Sequence, residues 1–250
     1  MFARSRFIDT PEDCFFYHAM ELPEFGVVRG QWDLRGRFDD YLGGVEVAGK
    51  SVLDIGAATG FLSFEAERRG ASRVMSFDLS DARQQTFLPF KDKPYYREHE
   101  RWVEQYGAEI ERWKNAYWLC HRLLGSRAEV YYGNIYDLPR ELGQYDVVLV
   151  GSVLEHLSDQ VTALASIARL AAETIVVVSP VLKTEERIAR FEPSASNPDY
   201  DFTWWIYSIG VYREVFAMLG FRIVRITHAR YYYMHGDSLE ERSTVVAVRD

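Results

Sequence analysis

The stretch SVLDIGAATGFLSFEAERRGASRVMSFDLSD, residues 51–81, restricts the possible folds more than any other part of the chain. Two short apolar runs, each with an Asp at or near its end, flank a loop of small residues and an amphipathic segment. SVLDI reads as a strand, 60–69 as a helix stopped by Gly70, and RVMSFD as a second strand. A strand, a helix and a strand in such short order make a βαβ unit with parallel strands. Open parallel sheets bind ligands at the carboxyl ends of their strands, near the switch in strand order. Asp54-Ile55-Gly56-Ala57-Ala58-Thr59-Gly60 lies at such an end. Gly56 and Gly60 can take backbone angles closed to other residues and let a ligand approach the main chain. Asp78 closes the second strand, where a carboxylate can accept two hydrogen bonds from a ribose diol. A nucleotide-like ligand is expected here.

The alternation continues along the chain. AEVYYGNI, YDVVLVGSV, TIVVVSP, FRIVRITHA and STVVAVR read as five further strands, with helices over 159–172 and 208–219. Only about fifteen residues without a clear helix join the last two strands, so they are expected as an antiparallel hairpin. Trp102, Tyr106, Ile110, Trp113, Tyr117 and Leu124 recur at helical spacing, and 82–128 is expected as a helical insertion and substrate lid. Residues 1–49, broken by Pro11, Pro23, Gly26, Gly30 and Gly36, read as an N-terminal cap with a short helix near 36–42. Residues 50–250 form the ligand-binding domain. The expected class is α/β: a Rossmann-like, seven-stranded, mostly parallel sheet with helices on both faces.

Composition narrows the function. The chain has 250 residues and a formal net charge of −8. An acidic chain is a poor generic binder of nucleic acid, because phosphate neutralisation needs clustered Lys and Arg. No apolar run has the length of a membrane span, and the N-terminus lacks a signal-peptide pattern. Cys14 and Cys120 lie far apart in no metal spacing and read as reduced thiols of a cytoplasmic protein. No metal constellation is apparent. The polar context of His99, between Glu98 and Glu100, marks a solvated helix face.

The loop discriminates between nucleotides. A dinucleotide site requires G-x-G-x-x-G/A with a small last residue. Phe61 follows Gly60 here and Ala58 stands at the middle glycine, which disfavours an NAD-dependent oxidoreductase. The pattern D-x-G-x-x-x-G, with Asp78 closing the next strand, resembles motif I of class I S-adenosylmethionine (SAM) methyltransferases. The resemblance implies that Asp54, Gly56, Ala57 and Gly60 form the cofactor loop, with Ala58 slightly repositioning it. It further implies that Asp78 holds the ribose, with Leu79 beside it. YYGNIYDLP is similar to the family's third strand and adenine loop, implying that Asn134 and Ile135 contact adenine. YDVVLVGSVLEHL resembles motif IV, which places Gly151 and Ser152 at the methionyl end and His156 near the transferring methyl. A neutral imidazole there can take a proton from a substrate hydroxyl or can simply orient the loop. Glu155 reads as a solvated or loop-bracing acid.

The flanks resemble the bacterial relatives of the tRNA wobble-uridine (5-oxyacetic acid pathway) methyltransferase, through Tyr17-His18, Trp32-Asp33-Leu34-Arg35 and Trp204-Trp205. Arg35 offers a planar fork for a carboxylate of SAM or substrate. Trp32, Trp204 and Trp205 either wall the acceptor pocket or clamp the cap to the sheet. Trp113 and Tyr117, with His121 on the same helix face, line either a core or a substrate site. The resulting expectation is a SAM-dependent O-methyltransferase of a small molecule such as a natural product, sugar or polar metabolite. S-adenosylhomocysteine (SAH) is its product. A tRNA-modifying enzyme and a catalytically silent SAM-binding protein are the alternatives.

Overall fold

A computed structural model describes residues 2–250. The cap contributes a small hairpin, β1 (Met20–Leu22) and β2 (Gly26–Val28), then β3 (Trp32–Asp33) and a single helical turn, α1 (Phe38–Tyr41). The opening βαβ unit follows as β4 (Ser51–Ile55), α2 (Phe61–Arg68) and β5 (Arg73–Leu79). A short turn, α3 (Pro94–Arg97), precedes the long α4 (His99–Leu123), which crosses over to β6 (Glu129–Gly133). Then come β7 (Tyr145–Gly151), α5 (Gln160–Ala168) and β8 (Ala171–Ser179). A second small hairpin, β9 (Ala189–Phe191) and β10 (Trp205–Tyr207), leads to α6 (Ile209–Met218), β11 (Phe221–Tyr233) and β12 (Ser238–Arg249).

The main sheet has the order β3-β11-β12-β8-β7-β4-β5-β6. Strands β8, β7, β4, β5 and β6 are parallel, whereas β12, β11 and β3 are joined antiparallel at one edge. The central strands are apolar on both faces, as a doubly covered parallel sheet requires. One face buries Val52, Val74, Val130 and Val147 under the cap, α2 and α4. The other buries Leu53, Met75, Val148 and Ile175 under α5 and α6. The strand order reverses at β4, which pairs with β5 on one side and β7 on the other. The crevice outside the carboxyl ends of these three strands is the ligand position of this architecture.

The sheet has eight strands, one more than the seven expected. The extra strand is β3, two residues of the cap that pair Trp32 with Tyr233 and Asp33 with Tyr232. The closing hairpin is also longer than its apolar cores suggest, because YYY and SLEER extend both strands and leave a turn of four residues. The helix expected over 159–172 stops at Ala168, since Ala171 already pairs with Tyr145 in the sheet. Much of 82–128 is the right-handed crossover itself. The later half of α4 buries Ala116, Tyr117, Trp118, Leu119 and Cys120, leaving 82–110 as the part able to cover the crevice. Cys14 and Cys120 are buried free thiols, and burial pushes the Cys14 thiol up to about 11. No helix among the described residues is long and apolar enough to cross a membrane.

Candidate active site

The loop between β4 and α2 is held from below by main-chain bonds. Gly56 and Ala57 both donate to the Phe77 carbonyl, at 2.8 and 3.1 Å, and Gly60 donates to Ala57 at 2.7 Å. Gly56 has φ +74°, and a Cβ there would lie 2.4 Å from Val153 Cγ2. Gly60 has φ +88°, and its Cβ would lie 2.4 Å from the Phe64 ring and 2.8 Å from Tyr117. Both positions therefore demand glycine on conformation and on space. Gly60→Ala combines a left-handed alanine, costing about 1–2 kcal/mol, with an overpacked contact costing about 1–3 kcal/mol. The expected result is a melting midpoint lowered by about 5–15 °C in scanning fluorimetry. A drop below about 2 °C would mean that the loop relaxes around the methyl group.

Ala58, at the middle-glycine position, also takes a left-handed φ of 49°. Its amide donates to Asp78 Oδ2 at 2.8 Å, and the Leu79 amide donates to Asp78 Oδ1 at 2.7 Å. These charge-assisted bonds offset the strain of the left-handed alanine. The Asp78 carboxylate is thus fixed at the end of β5 with lone pairs to spare on both oxygens. Burial pushes this carboxyl up, opposed by the two amides and by Lys114. Lys114, buried on α4, donates to the Ser80 carbonyl at 2.7 Å and to Glu111 at 2.9 Å. A small cavity between α4 and the loop is lined by Ala58, Asp78, Leu79, Trp113, Lys114 and Tyr117. Trp113 and Tyr117 therefore stand beside Asp78.

Asp54 is buried behind the loop. Ser63 donates to its Oδ2 at 2.7 Å, while Oδ1 has no hydrogen-bond partner among the described residues. Asn134 caps the turn after β6, accepting from the Tyr136 amide at 3.0 Å, and leaves Ile135 partly exposed against the apolar core of that face. At the end of β7, Gly151 is close-packed: a Cβ would meet Leu62 at 3.0 Å and Tyr41 at 3.1 Å. Ser152 takes φ 51° and lies 3.3 Å from the Tyr41 hydroxyl.

His156 sits in the turn after β7. Its Nδ1 lies 2.7 Å from the Phe202 carbonyl. A carbonyl oxygen only accepts, so Nδ1 carries a proton, and in the neutral ring the lone pair is on Nε2. Glu155 is not solvated: it is buried, accepts from Ser179 at 3.0 Å, and its carbonyl receives the Trp204 amide at 2.8 Å. It braces the loop.

The cap closes the other side. Thr59, fully buried within the glycine loop, accepts from the amides of Tyr17 at 2.8 Å and His18 at 3.2 Å. Burial pushes His18 down to about 3, so its imidazole is neutral. Trp32 lies against Tyr233, ring centres 4.9 Å apart, and under the guanidinium of Arg242, 4.7 Å from the ring centre. Arg242 stands one residue from Ser243, which pairs with Ser179 at the carboxyl end of β8. Its Nε is buried without a hydrogen-bond partner among the described residues. The Tyr17 hydroxyl, pushed up to about 12 by burial, feels both Glu155 and Arg242.

Arg35 is placed differently from the expectation. Its Nε and Nη2 close on Asp33 at 2.9 and 2.7 Å, so the fork is already filled two residues away. Trp204 donates to the Thr86 carbonyl at 3.2 Å and ties 82–90 to the loop after β9. Trp205 packs on Phe191 in the β9–β10 hairpin. Thr59, Ser63, Ser76, Tyr41, Lys114 and Arg242 belong to the site without having been expected. The available signals were polar residues inside buried apolar patterns: the Ser of RVMSFD, the Ser of FLSF, and a lysine on the Ile110–Tyr117 face.

A family model described as methyltransferase domain matches residues 34–240. No curated protein sequence matches the chain. Among solved structures, the magnesium protoporphyrin IX methyltransferase of Synechocystis PCC 6803 with bound SAH is similar, with a TM-score of 0.54 and 16% identity. That match covers 85% of this chain and 82% of that one. A SAM-dependent methyltransferase from Aquifex aeolicus gives a TM-score of 0.51 at 14% identity, over 88% of this chain and 91% of the other. At these identities the likeness is one of fold.

Proposed function

The chain belongs to the methyltransferase-domain family, and from that premise we propose that it moves a methyl group from SAM to an oxygen of a small polar molecule. The observation that carries the reading is Asp78, held by the Ala58 and Leu79 amides at the switch point of the sheet. The residues fit an adenosyl-methionyl ligand on three counts. The loop excludes a Cβ at Gly56 and Gly60. Asp78 retains acceptor capacity on both oxygens. The buried Oδ1 of Asp54 lacks a donor.

Bound SAM supplies an electrophilic methyl group on a sulfonium centre. Asp78 accepts the ribose hydroxyls, Leu79 and Ile135 flank the adenine, and Asn134 serves its edge. Trp113 stands with Leu79 on this cofactor side. Gly151 and Ser152 border the methionyl part. His156 Nε2, freed by the bond of Nδ1 to Phe202, takes the proton of the acceptor hydroxyl as the oxygen is methylated. Tyr17, Trp32 and Arg242 wall the acceptor side, and Trp204 ties down its cover. The cap elements that support kinship with the wobble-uridine relatives thus serve the acceptor. Positioning and exclusion of water supply most of the rate.

The test is calorimetry with SAH, followed by methyl transfer from labelled SAM to a panel of small hydroxylated metabolites and to bulk tRNA. Submillimolar SAH binding and transfer to a small molecule are expected. Transfer to tRNA with a steep salt slope would overturn the small-molecule reading. SAH binding without turnover on any acceptor would leave a silent binding protein. Arg242→Met should raise the acceptor KM about tenfold to a hundredfold, the value of a hydrogen bond to a charged group, with SAH affinity within about twofold of wild type. An unchanged KM would remove Arg242 from the acceptor side.

A further inference from the structure

A line of polar side chains runs behind the glycine loop and is not used by the proposed transfer step. The Tyr117 hydroxyl lies 2.7 Å from Ser76 Oγ, Ser76 Oγ lies 2.7 Å from Ser63 Oγ, and Ser63 donates to Asp54 Oδ2 at 2.7 Å. All four are closed to solvent: Ser63 and Ser76 are 0% exposed, Asp54 1% and Tyr117 3%. The far end fixes the direction of the chain. An ionised carboxylate only accepts, so Ser63 donates to Asp54, Ser76 to Ser63, and Tyr117 to Ser76. Bonds aligned in this way polarise one another. The three supporting residues come from α2, β5 and α4, so the crossover helix reaches the cofactor loop through them.

The charge of Asp54 hangs on these donors. Burial pushes its carboxyl up to about 7, Asp78 pushes in the same direction, and the Ser63 bonds oppose both. The titratable groups facing Asp54 are Asp78 on β5 and Tyr117 on α4. Strand β7 sets Leu149 opposite it, β5 sets Ser76 opposite it, and α2 offers Ser63. Lys114 faces Asp78.

We propose that Tyr117 is a positioning residue for cofactor binding, which through Ser76 and Ser63 holds the Asp54 carboxylate in place for the cationic ammonium of the methionyl end. The inference rests on reading the loop as the SAM site. An ionised Asp54 favours the ammonium, so affinity rises with pH and levels off above the carboxyl's own titration. Removing a donor raises that titration further and displaces the same curve toward alkaline pH.

The experiment is calorimetric titration of the full chain with SAH between pH 5.5 and 8.5, for wild type, Tyr117→Phe and Ser63→Ala. Wild-type affinity should fall on the acid side with a midpoint near 7. Tyr117→Phe should move that midpoint up by about half to one pH unit, which weakens binding about twofold to fivefold at neutral pH. The difference should vanish toward pH 8.5. Ser63→Ala, which removes the direct donor, should move it further. A merely structural role for Tyr117 would weaken binding equally at every pH. A uniform loss, or an unmoved midpoint in both variants while wild type binds SAH, overturns the inference. Failure of wild type to bind SAH at any pH overturns the cofactor assignment itself, and this inference with it.

Discussion

Asp78→Ala is expected to weaken SAH binding about a hundredfold or more, the largest affinity loss of any single substitution in the site. Each hydrogen bond from a ribose hydroxyl to this carboxylate is worth about 1.5–3 kcal/mol, and both are lost together. The variant also strips the Ala58 amide of its acceptor, so the left-handed alanine is no longer held and the cofactor must order the loop itself. Asp78→Asn should fall between wild type and alanine. It keeps one acceptor but turns an NH2 group toward one of the two amides that now donate to the carboxylate. Calorimetry reads the affinities, and the melting midpoint of the free protein separates a damaged loop from an unfolded chain. SAH binding within about threefold of wild type in the alanine variant would take the ribose away from Asp78.

His156→Ala is expected to lower kcat by about 10²–10⁴-fold, the contribution of a positioned general base, while SAH binding stays within about twofold of wild type. The Phe202 carbonyl holds the ring. By accepting from Nδ1 it selects one tautomer and leaves a basic nitrogen on the opposite side of the ring. A loop-bracing histidine would behave differently, because its loss would disturb the 199–204 loop and raise the acceptor KM with little change in kcat. Initial rates with the acceptor found in the transfer screen, read as kcat and KM separately, decide between the two. A fall in kcat of less than tenfold would leave deprotonation of the acceptor to water.

The features visible in the sequence are those whose determinants lie close together along it. The glycine loop, Asp54 and Asp78 sit within one strand–helix–strand unit, so spacing exposes them, whereas the tail after β7 stands out only through its resemblance to motif IV. Strand β3 was not visible, because two residues of the cap acquire strand character only by meeting Tyr232 and Tyr233. The ends of β11 and β12 are polar and half-exposed, and a pattern of apolar residues cannot mark them. Arg35 shows the opposite case. Its partner Asp33 is two residues away in WDLR, yet the turn geometry that closes the fork on it is not encoded by spacing. Arg242 is hidden for a third reason: its value comes from Trp32 beneath it and from a buried Nε, and neither is local. The same holds for Ser63 and Ser76, which look like small residues filling a core until Tyr117 is set above them.

The bonds that the amides of Tyr17 and His18 donate to Thr59 also dictate an order of assembly. Tyr17 and His18 are synthesised before the residue that anchors them, which lies some forty residues further along the chain. Trp32 must wait longer still, for Tyr233. The cap is thus made before the partners that seat it, and a nascent chain can shape its glycine loop before β11 arrives to hold Trp32.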